Sequence, residues 1–291
     1  MAGPGGRSFR RPGQGRAGAV CGVPGNAVSG RGADAKLSII MAAYNSQATI
    51  GDAVGSFLAQ DHPDKELVVI DGASQDDTCA IVEGFDSADI RLFSEPDDGI
   101  YHALNKGIAR ARGSVVGLLH TDDLFAREDV LSRVAEVLES SGMDGVYGDL
   151  EYVARDRPDR VIRYWRSGAY RPGSLRRGWM PPHPTLFLRR EVFDKHDAYD
   201  TGLRIAADYE AILRWLVRAE LELAYIPHVL ARMRVGGESN RSPGRILRKS
   251  REDLCAIRRH GIGGLDVLAA KNLRKVLQFI RRDRGKDVQA R

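Results

Sequence analysis

The sequence predicts an open α/β fold with a mixed second half and a basic, helical end. Short apolar runs of four or five residues recur without alternation, as in parallel strands covered on both faces. Segments with helical spacing lie between them, and strand alternating with helix in this way builds a parallel sheet with right-handed crossovers. Each run also ends in polar residues, and in such sheets ligands bind beyond the carboxyl ends of the strands.

Residues 1–35 are rich in Gly, Arg and Pro, with no apolar stretch fit for a signal peptide, and read as a disordered basic leader or a mis-assigned start. The expected strands of the first half are Leu37–Met41, Leu67–Ile70, Ile90–Phe93 and Val115–Leu119. Thr49–Ala59 places Ile50, Val54, Phe57 and Leu58 on one helical face, Asp76-Asp77-Thr78 offers caps to a second helix, and Ile100–Arg112 forms a third. Further on, Val146–Val153 and Val161–Trp165 read as a hairpin and Thr185–Leu188 as a strand. Ala207–Val217 reads as a helix, and Leu221–Ile226 and Val229–Val235 as two more strands. Two basic helices, 245–259 and 264–281, close the chain. The expected organisation is a leader over 1–35, a domain over 36–240 split into a nucleotide half (36–125) and an acceptor half (126–240), and a basic tail over 241–291.

Charge is unevenly placed. Residues 1–36 hold six Lys and Arg against one acid and residues 241–291 fifteen against five, whereas the middle holds 23 against 33. The basic ends lie outside the acid-bearing domain and bring no aromatic stacking platform or finger spacing, which argues against nucleic acid as a partner. No stretch is long enough to cross a bilayer. Cys21, Cys79 and Cys255 have no paired spacing and read as free thiols in a reducing compartment.

The sharpest signal is Thr121-Asp122-Asp123 directly after the fourth strand. Two acids at the exit of a buried strand need compensation, because an unpaired buried carboxylate costs several kcal/mol. Hard oxygen ligands in this number suit Mg²⁺ or Mn²⁺, which are completed by the phosphates of a substrate, so a nucleoside diphosphate is implied. A helix cap ahead of Val130 is the plainer alternative. The other strands exit into Tyr44-Asn45, into Asp71-Gly72-Ala73-Ser74 and into Glu95-Pro96-Asp97-Asp98-Gly99, and joint placement on one rim makes a site.

These motifs, from Ser38–Asn45 through Val68–Thr78 and Ser94–Ile108 to Asp122-Asp123, resemble the inverting family 2 glycosyltransferases with the GT-A fold, a Rossmann-like, mostly parallel sheet with flanking helices, and in particular the bacterial polysaccharide and glycolipid enzymes. The resemblance covers Leu37 to about Asn240. It implies transfer of one sugar from a nucleotide-diphosphate sugar, by family habit UDP-linked, to a hydroxyl of a glycan or lipid-linked acceptor. Tyr44, Asn45, Asp71, Asp98, Asn105, Lys106, Asp122 and Arg234 would bind the donor, Asp71 accepting from the base; Asp123, with Asp122, would hold the metal. Arg232 and Gly236–Ser239 belong to an element closing over the diphosphate. Asp208, at the start of a helix, is the implied base, with an N-cap role compatible; Glu210 and His183 are implied on the acceptor side. The QxxRW element of processive synthases is missing, which favours single-sugar addition.

A nucleotide-sugar pyrophosphorylase would carry a glycine-rich loop where Ala42-Ala43-Tyr44-Asn45 stands, and a dinucleotide dehydrogenase its G-x-G-x-x-G. A non-catalytic sugar-nucleotide-binding module is the remaining alternative. The expected place is the cytoplasm, with peripheral contact to an anionic membrane through 245–282, where Leu265, Leu268, Leu273, Val276, Leu277 and Ile280 would form an apolar face beside basic residues; a helix packed on its own domain fits the same pattern.

Overall fold

The computed structural model describes residues 35–171, 173–236 and 243–280, with the side chains of all of these but 243 and 275–280. The expectations for the leader up to residue 34, for Cys21, for Gly237–Ser239 and for Val276, Leu277 and Ile280 as part of an apolar face lie outside these described residues and side chains.

Strands β1 (Leu37–Ala43), β2 (Lys65–Asp71), β3 (Ile90–Ser94) and β4 (Val115–Leu118) pair in parallel in the order β3-β2-β1-β4. Leu37 stands opposite Lys65 and Val115, Ala43 opposite Asp71 and Asp71 opposite Ser94, so β1, β2 and β3 finish level, while β4 ends opposite Ile40. Four helices cover them: α1 (Ile50–Leu58), α2 (Thr78–Glu83), α3 (Ile100–Arg110) and α4 (Val130–Ser141). Leu37, Ile39 and Met41 pack with α1, α2 and α4, whereas Ile40, Val68 and Ile70 pack with α3 on the other face. Burial on both faces is why the apolar runs do not alternate, and each fully buried Leu or Ile contributes about 1.5–3 kcal/mol.

The sheet continues through β5 (Asp123–Phe125), β6 (Gly145–Val153), β7 (Val161–Trp165), β8 (Phe187–Arg189) and β9 (Leu223–Arg234), in the order β4-β8-β6-β9-β5 with β7 beside β6. Here β8 is antiparallel to β4 and β6, and β6 is parallel to β9, the mixed half that the sequence predicts. Short β5 was not legible in the sequence: it forms because Asp123–Phe125 pairs with Met233–Ala231, which draws Asp123 inward beside Arg234.

Several expectations are corrected. The two strands expected over 221–235 are one, since Pro227 falls where β6 and β9 shift register between Tyr147 and Asp149, in a bulge that asks for no ladder N–H. The expected helix over 207–217 is α6 (Ala207–Leu213) followed by a π-helical turn, Arg214–Arg218. The wider turn lets neighbouring Arg214 and Trp215 both reach the 196–198 carbonyls, just after helix α5 (Arg190–His196). Pro184 puts Thr185 in a 3₁₀ turn before β8. Helix α4 starts after Asp129, so Asp122 and Asp123 do not cap it.

The closing helices, α7 (Pro243–Arg259) and α8 (Leu265–Ile280), complete the second core: Ala256, Ile257, Ile262 and Val267 pack with α3 and α6. Lys271 is buried against Asp253 at 2.7 Å. At Gly178 (φ 73°) a Cβ would fall 2.3 Å from the Lys271 backbone nitrogen, so α8 seats on a turn that needs glycine. The tail face expected to meet a membrane is therefore divided: Val267 and Leu268 pack inward and Lys271 is buried, while Leu265 and Leu273 are exposed.

Candidate active site

The exits of β1, β2 and β4 are stitched together by side chains that satisfy one another's loops. Ser74 Oγ accepts from the Asn45 N–H (2.8 Å), Asn45 Oδ1 from the Gln75 N–H (2.9 Å), and Thr78 Oγ1 from the Ser46 N–H (2.7 Å). Thr121, one residue before Asp122, donates to Ser46 Oγ at 3.1 Å. Asn45 adopts φ 46°, a left-handed conformation that asparagine tolerates. The rim foreseen from the strand ends is thus one connected surface.

Asp71 is fully buried beneath it. Its carboxylate accepts from the Ser74 N–H (3.0 Å), from Ser94 Oγ (2.7 Å) and from the Ser74 hydroxyl. Burial pushes this carboxyl up, but the hydrogen bonds from Ser74 and Ser94, with a weaker one from Cys79, outweigh it and hold the group below its ordinary range. The side chain is thus engaged with its own loop and with β3.

The next residue, Gly72, is a point of close approach. A Cβ at Gly72 would meet Asp97 Oδ2 at 2.7 Å and the Tyr44 ring at 3.4 Å, and Tyr44 is 63% exposed. An exposed aromatic ring and a carboxylate thus approach the Gly72 backbone closely. Asp97 also accepts from the Gly99 N–H at 2.8 Å. Asp98 projects outward, its side chain 95% exposed and 3.6 Å from His102. Asn105 and Lys106 are likewise corrected. Asn105 Nδ2 donates to the Tyr199 carbonyl (2.8 Å) and its Oδ1 accepts from the Tyr199 N–H (2.9 Å), while Lys106 holds Glu95 (3.1 Å) and the Pro96 carbonyl (2.9 Å). Both are engaged in fixing loops.

Asp123 is 1% exposed, and neither oxygen of its carboxylate has a hydrogen-bond partner among the described residues. Burial, reinforced by the charge of Asp122, pushes its pKa well up, against a weaker opposite pull from Arg234. Asp122 is half-buried at the mouth. A buried carboxylate left without donors fits a divalent cation, which would restore its charged form. No three His, Cys, Asp or Glu side chains converge among the described residues. Arg234 stands beside the pair, 4% exposed, bound to Asp52 of α1 at 2.5 Å and 3.5 Å from the Asp122 carbonyl.

Asp208 lies in the first turn of α6, where the helix dipole favours an acid. Burial raises its pKa, but the fields of His183, Lys249 and Lys271 and the Tyr209 N–H lower it more, leaving it below the ordinary range. His183 is itself held down to about 4 by burial. His183 Nε2 meets the Tyr199 hydroxyl at 2.8 Å, and the His183 and His120 rings are 6.1 Å apart. His120 feels both Asp122 and Asp208, which ties the acceptor-side acid to the strand-exit acids. His120, like Asp97, had no assigned role in the sequence reading, although its place two residues before Asp122 was a usable signal. Glu210 is not part of this group. It is fully buried, 2.9 Å from His260 and 3.2 Å from Arg214, and these partners overcome burial to pull its pKa down to about 2.

The family description "Glycosyl transferase family 2" matches residues 38–206, more than half of the chain. The chain is a family 2 glycosyltransferase. It is 33% identical over 184 residues to an uncharacterized glycosyltransferase of Mycobacterium tuberculosis, covering 61% of this chain and 68% of that one. To a PGL/p-HBAD biosynthesis glycosyltransferase of Mycobacterium bovis it is 31% identical over 209 residues, covering 70% and 79%. Among solved structures, this glycosyltransferase shares its fold with S. aureus TarS 1-349 in complex with UDP-GlcNAc (TM-score 0.62, 18% identity, 83% and 73% covered). It also shares it with the mannosyltransferase PcManGT from Pyrobaculum calidifontis in complex with GDP-Man and Mn²⁺ (TM-score 0.59, 19% identity, 81% and 69% covered). The glycosyltransferase family match stops two residues before Asp208, and α7 and α8 lie beyond it.

Proposed function

We propose that this enzyme moves a single sugar from a nucleotide-diphosphate sugar to a hydroxyl of a glycan or lipid-linked acceptor, with inversion and with Asp208 as the base. The observation that carries the reading is the pair of acids in this region: Asp123, buried with no hydrogen-bond partner among the described residues, and Asp208, held below its ordinary range and acting, like Asp122, on His120. Tyr44, Gly72 and Asp97 would hold the base of the donor, with Asn45 and Asp71 keeping the loop in shape. Asp123, with Asp122, would hold Mg²⁺ or Mn²⁺, and Arg234 would support the pair from behind. Bound there, such an ion stabilises charge on the departing diphosphate, an effect worth several kcal/mol.

Asp208 removes the proton of the acceptor hydroxyl as that oxygen attacks the anomeric carbon. The bond to the diphosphate oxygen breaks on the opposite face, and the nucleoside diphosphate leaves with the bonding pair. One displacement needs one base, and a positioned base contributes roughly 10² to 10⁴ in rate. Neutral His183, hydrogen-bonded to Tyr199, lines the acceptor side without adding charge. UDP as the donor nucleotide is supported by family habit, and a divalent ion by the Mn²⁺ named with the mannosyltransferase neighbour.

A panel of UDP-glucose, UDP-GlcNAc, GDP-mannose and dTDP-rhamnose, each with and without Mn²⁺, tests the donor reading by thermal shift, since a ligand of the folded state stabilises in proportion to RT ln(1 + [L]/Kd). Stabilisation by at least one sugar nucleotide only with Mn²⁺ is expected, and identical melting across the panel would remove the reading. Proton NMR of the first product reports whether the anomer inverts.

No helix of the described residues is long and apolar enough to cross a membrane. A cytoplasmic protein touching an anionic membrane is proposed instead, through the start of α7, where Ile246 (51% exposed) and Leu247 (58% exposed) stand between exposed Arg245 and Arg248. Co-sedimentation with phosphatidylglycerol vesicles should be lost on changing both apolar residues to Asp, and equal binding by that variant would remove the membrane contact.

A further inference from the structure

The turn that carries Asp208 has no side chain of its own to hold it. The residue at the N-cap of α6 is Ala206, which offers no acceptor, although the N–H groups at a helix start need one. The segment that leads into it is held from another helix instead. Glu252 of α7 receives the N–H of Ile205 at 2.8 Å and of Ala206 at 2.9 Å on Oε2, and that of Arg204 at 3.3 Å on Oε1. Main-chain N–H groups satisfied by one carboxylate make charge-assisted hydrogen bonds, stronger than neutral ones.

The next residue on α7 holds the other side of the same turn. Asp253 is paired with Lys271 of α8 at 2.7 Å, both side chains 3% exposed, and Lys271 Nζ lies 3.2 Å from the centre of the Tyr209 ring, directly after Asp208. From the donor half, the Tyr101 hydroxyl of α3 lies 2.8 Å from the Ile205 carbonyl and 3.3 Å from Asp208 Oδ1. With one proton to donate, the shorter contact is the hydrogen bond. The Ile205 peptide is thus gripped at its N–H by the closing helices and at its carbonyl by the nucleotide half, three residues before the acid.

We propose that Glu252 is a positioning residue for Asp208, which makes α7 a working part of the catalytic apparatus rather than an appended basic tail. The inference rests on the reading of Asp208 as the base. Displacement of a reacting group by about 1 Å costs on the order of 10²-fold in rate, so loss of the grip should appear in turnover and not in donor binding.

The test uses the full chain, with Mn²⁺ and the best-binding sugar nucleotide of the panel above, and water as acceptor, reading nucleotide release. In E252A, kcat is expected to fall roughly 10- to 100-fold with donor affinity unchanged. E252Q should recover part of the loss, because one amide oxygen can still accept from Ile205 and Ala206. The double variant E252A/D208N should be no slower than D208N, since Glu252 acts through Asp208. Independently of turnover, amide exchange over 204–206 should quicken in E252A while the amides of α3 stay protected.

Undiminished kcat in E252A, a further multiplied loss in the double variant, or unchanged exchange over 204–206 would each overturn the proposal. So would loss of donor affinity together with turnover in both E252A and E252Q. D208N turning over like the wild type would instead remove the base reading, and this proposal with it; a silent D208N beside an unimpaired E252A would remove this proposal alone.

Discussion

The donor rim and the acceptor side of this glycosyltransferase are built by different means. On the rim, Asn45, Ser46, Ser74, Thr78 and Thr121 hold the exits of neighbouring parallel strands in short hydrogen bonds, so the sheet itself places the loops. Around Asp208 the contacts come from Tyr101 on α3, 107 residues away in the chain, from Glu252 beside the turn and from the ring pair of His120 and His183. On the proposed reading, holding a nucleotide would be a property of strand ends, whereas placing the base would depend on packing against α3 and α7. Binding and turnover should come apart under substitution.

The strongest separation is expected from one Asp→Asn change in each region. Asp208→Asn should lower transfer by about 10² to 10⁴ while the Mn²⁺-dependent thermal shift with the sugar nucleotide persists. Asp123→Asn should do the reverse in binding, abolishing that shift. It should also leave the metal-free protein at least as stable at neutral pH, because it removes a buried carboxylate with no donors. The sign follows from titration. The folded pKa of Asp123 lies above its unfolded value, so its contribution is present at low pH and lost as pH rises through the folded pKa, unless a cation occupies the site. Parallel melting curves of the wild type and Asp123→Asn, with and without Mn²⁺ from pH 4 to 8, check this; a metal response kept by the variant would move the ion elsewhere.

Stability should reside on the acceptor side. Glu210→Gln would leave Arg214 and His260 facing a neutral group, and breaking a buried pair costs about 3–5 kcal/mol, measurable in urea, with donor affinity in the surviving folded protein unchanged. Acid should expose the same region in two steps. His183, depressed to about 4 from 6.5, stabilises above its unfolded pKa and loses that contribution as pH falls toward 4. Glu210, depressed to about 2 from 4.5, holds its contribution above 4.5 and loses it as pH falls toward 2. Each shift corresponds to something on the order of 3 kcal/mol. A His183→Gln variant whose acid unfolding still began below pH 6.5 would show that the upper step belongs to another group.

The same division explains what could be read in the sequence. Leu37–Met41, Leu67–Ile70 and Ile90–Phe93 announce buried strands because covering both faces leaves a continuous apolar run, and their exits announce the rim. The resemblance singles out Asp98, and adjacent acids in a loop have no periodicity to tell inward from outward; in the fold it is Asp97 that lies against Gly72. Glu210 looked like a neighbour of the chemistry because it lies two residues from Asp208, but on a helix that spacing points to different faces, and His260 takes it. Glu252 was invisible for the opposite reason. Its partners are backbone N–H groups, which leave no residue-type signature, at a separation of 47 residues for Ile205.

The smallest expected effect probes the rim at the close approach to Gly72. A methyl group added by Gly72→Ala would sit 2.7 Å from Asp97 Oδ2 and 3.4 Å from the Tyr44 ring, closer than real contacts allow for the first and ordinary for the second. Asp97 is anchored by the Gly99 N–H but is only half-buried, so its carboxylate can yield by tilting away. The fold should survive, and the cost should fall on the base of the donor as a loss of roughly 1 kcal/mol, about fivefold in affinity. Turnover at saturating donor should be unchanged, since nothing at Gly72 reaches Asp208. Titration of the sugar nucleotide by calorimetry, paired with kcat, decides it. A drop in kcat at full occupancy would mean that the rim and the base are coupled more tightly than their separate construction implies.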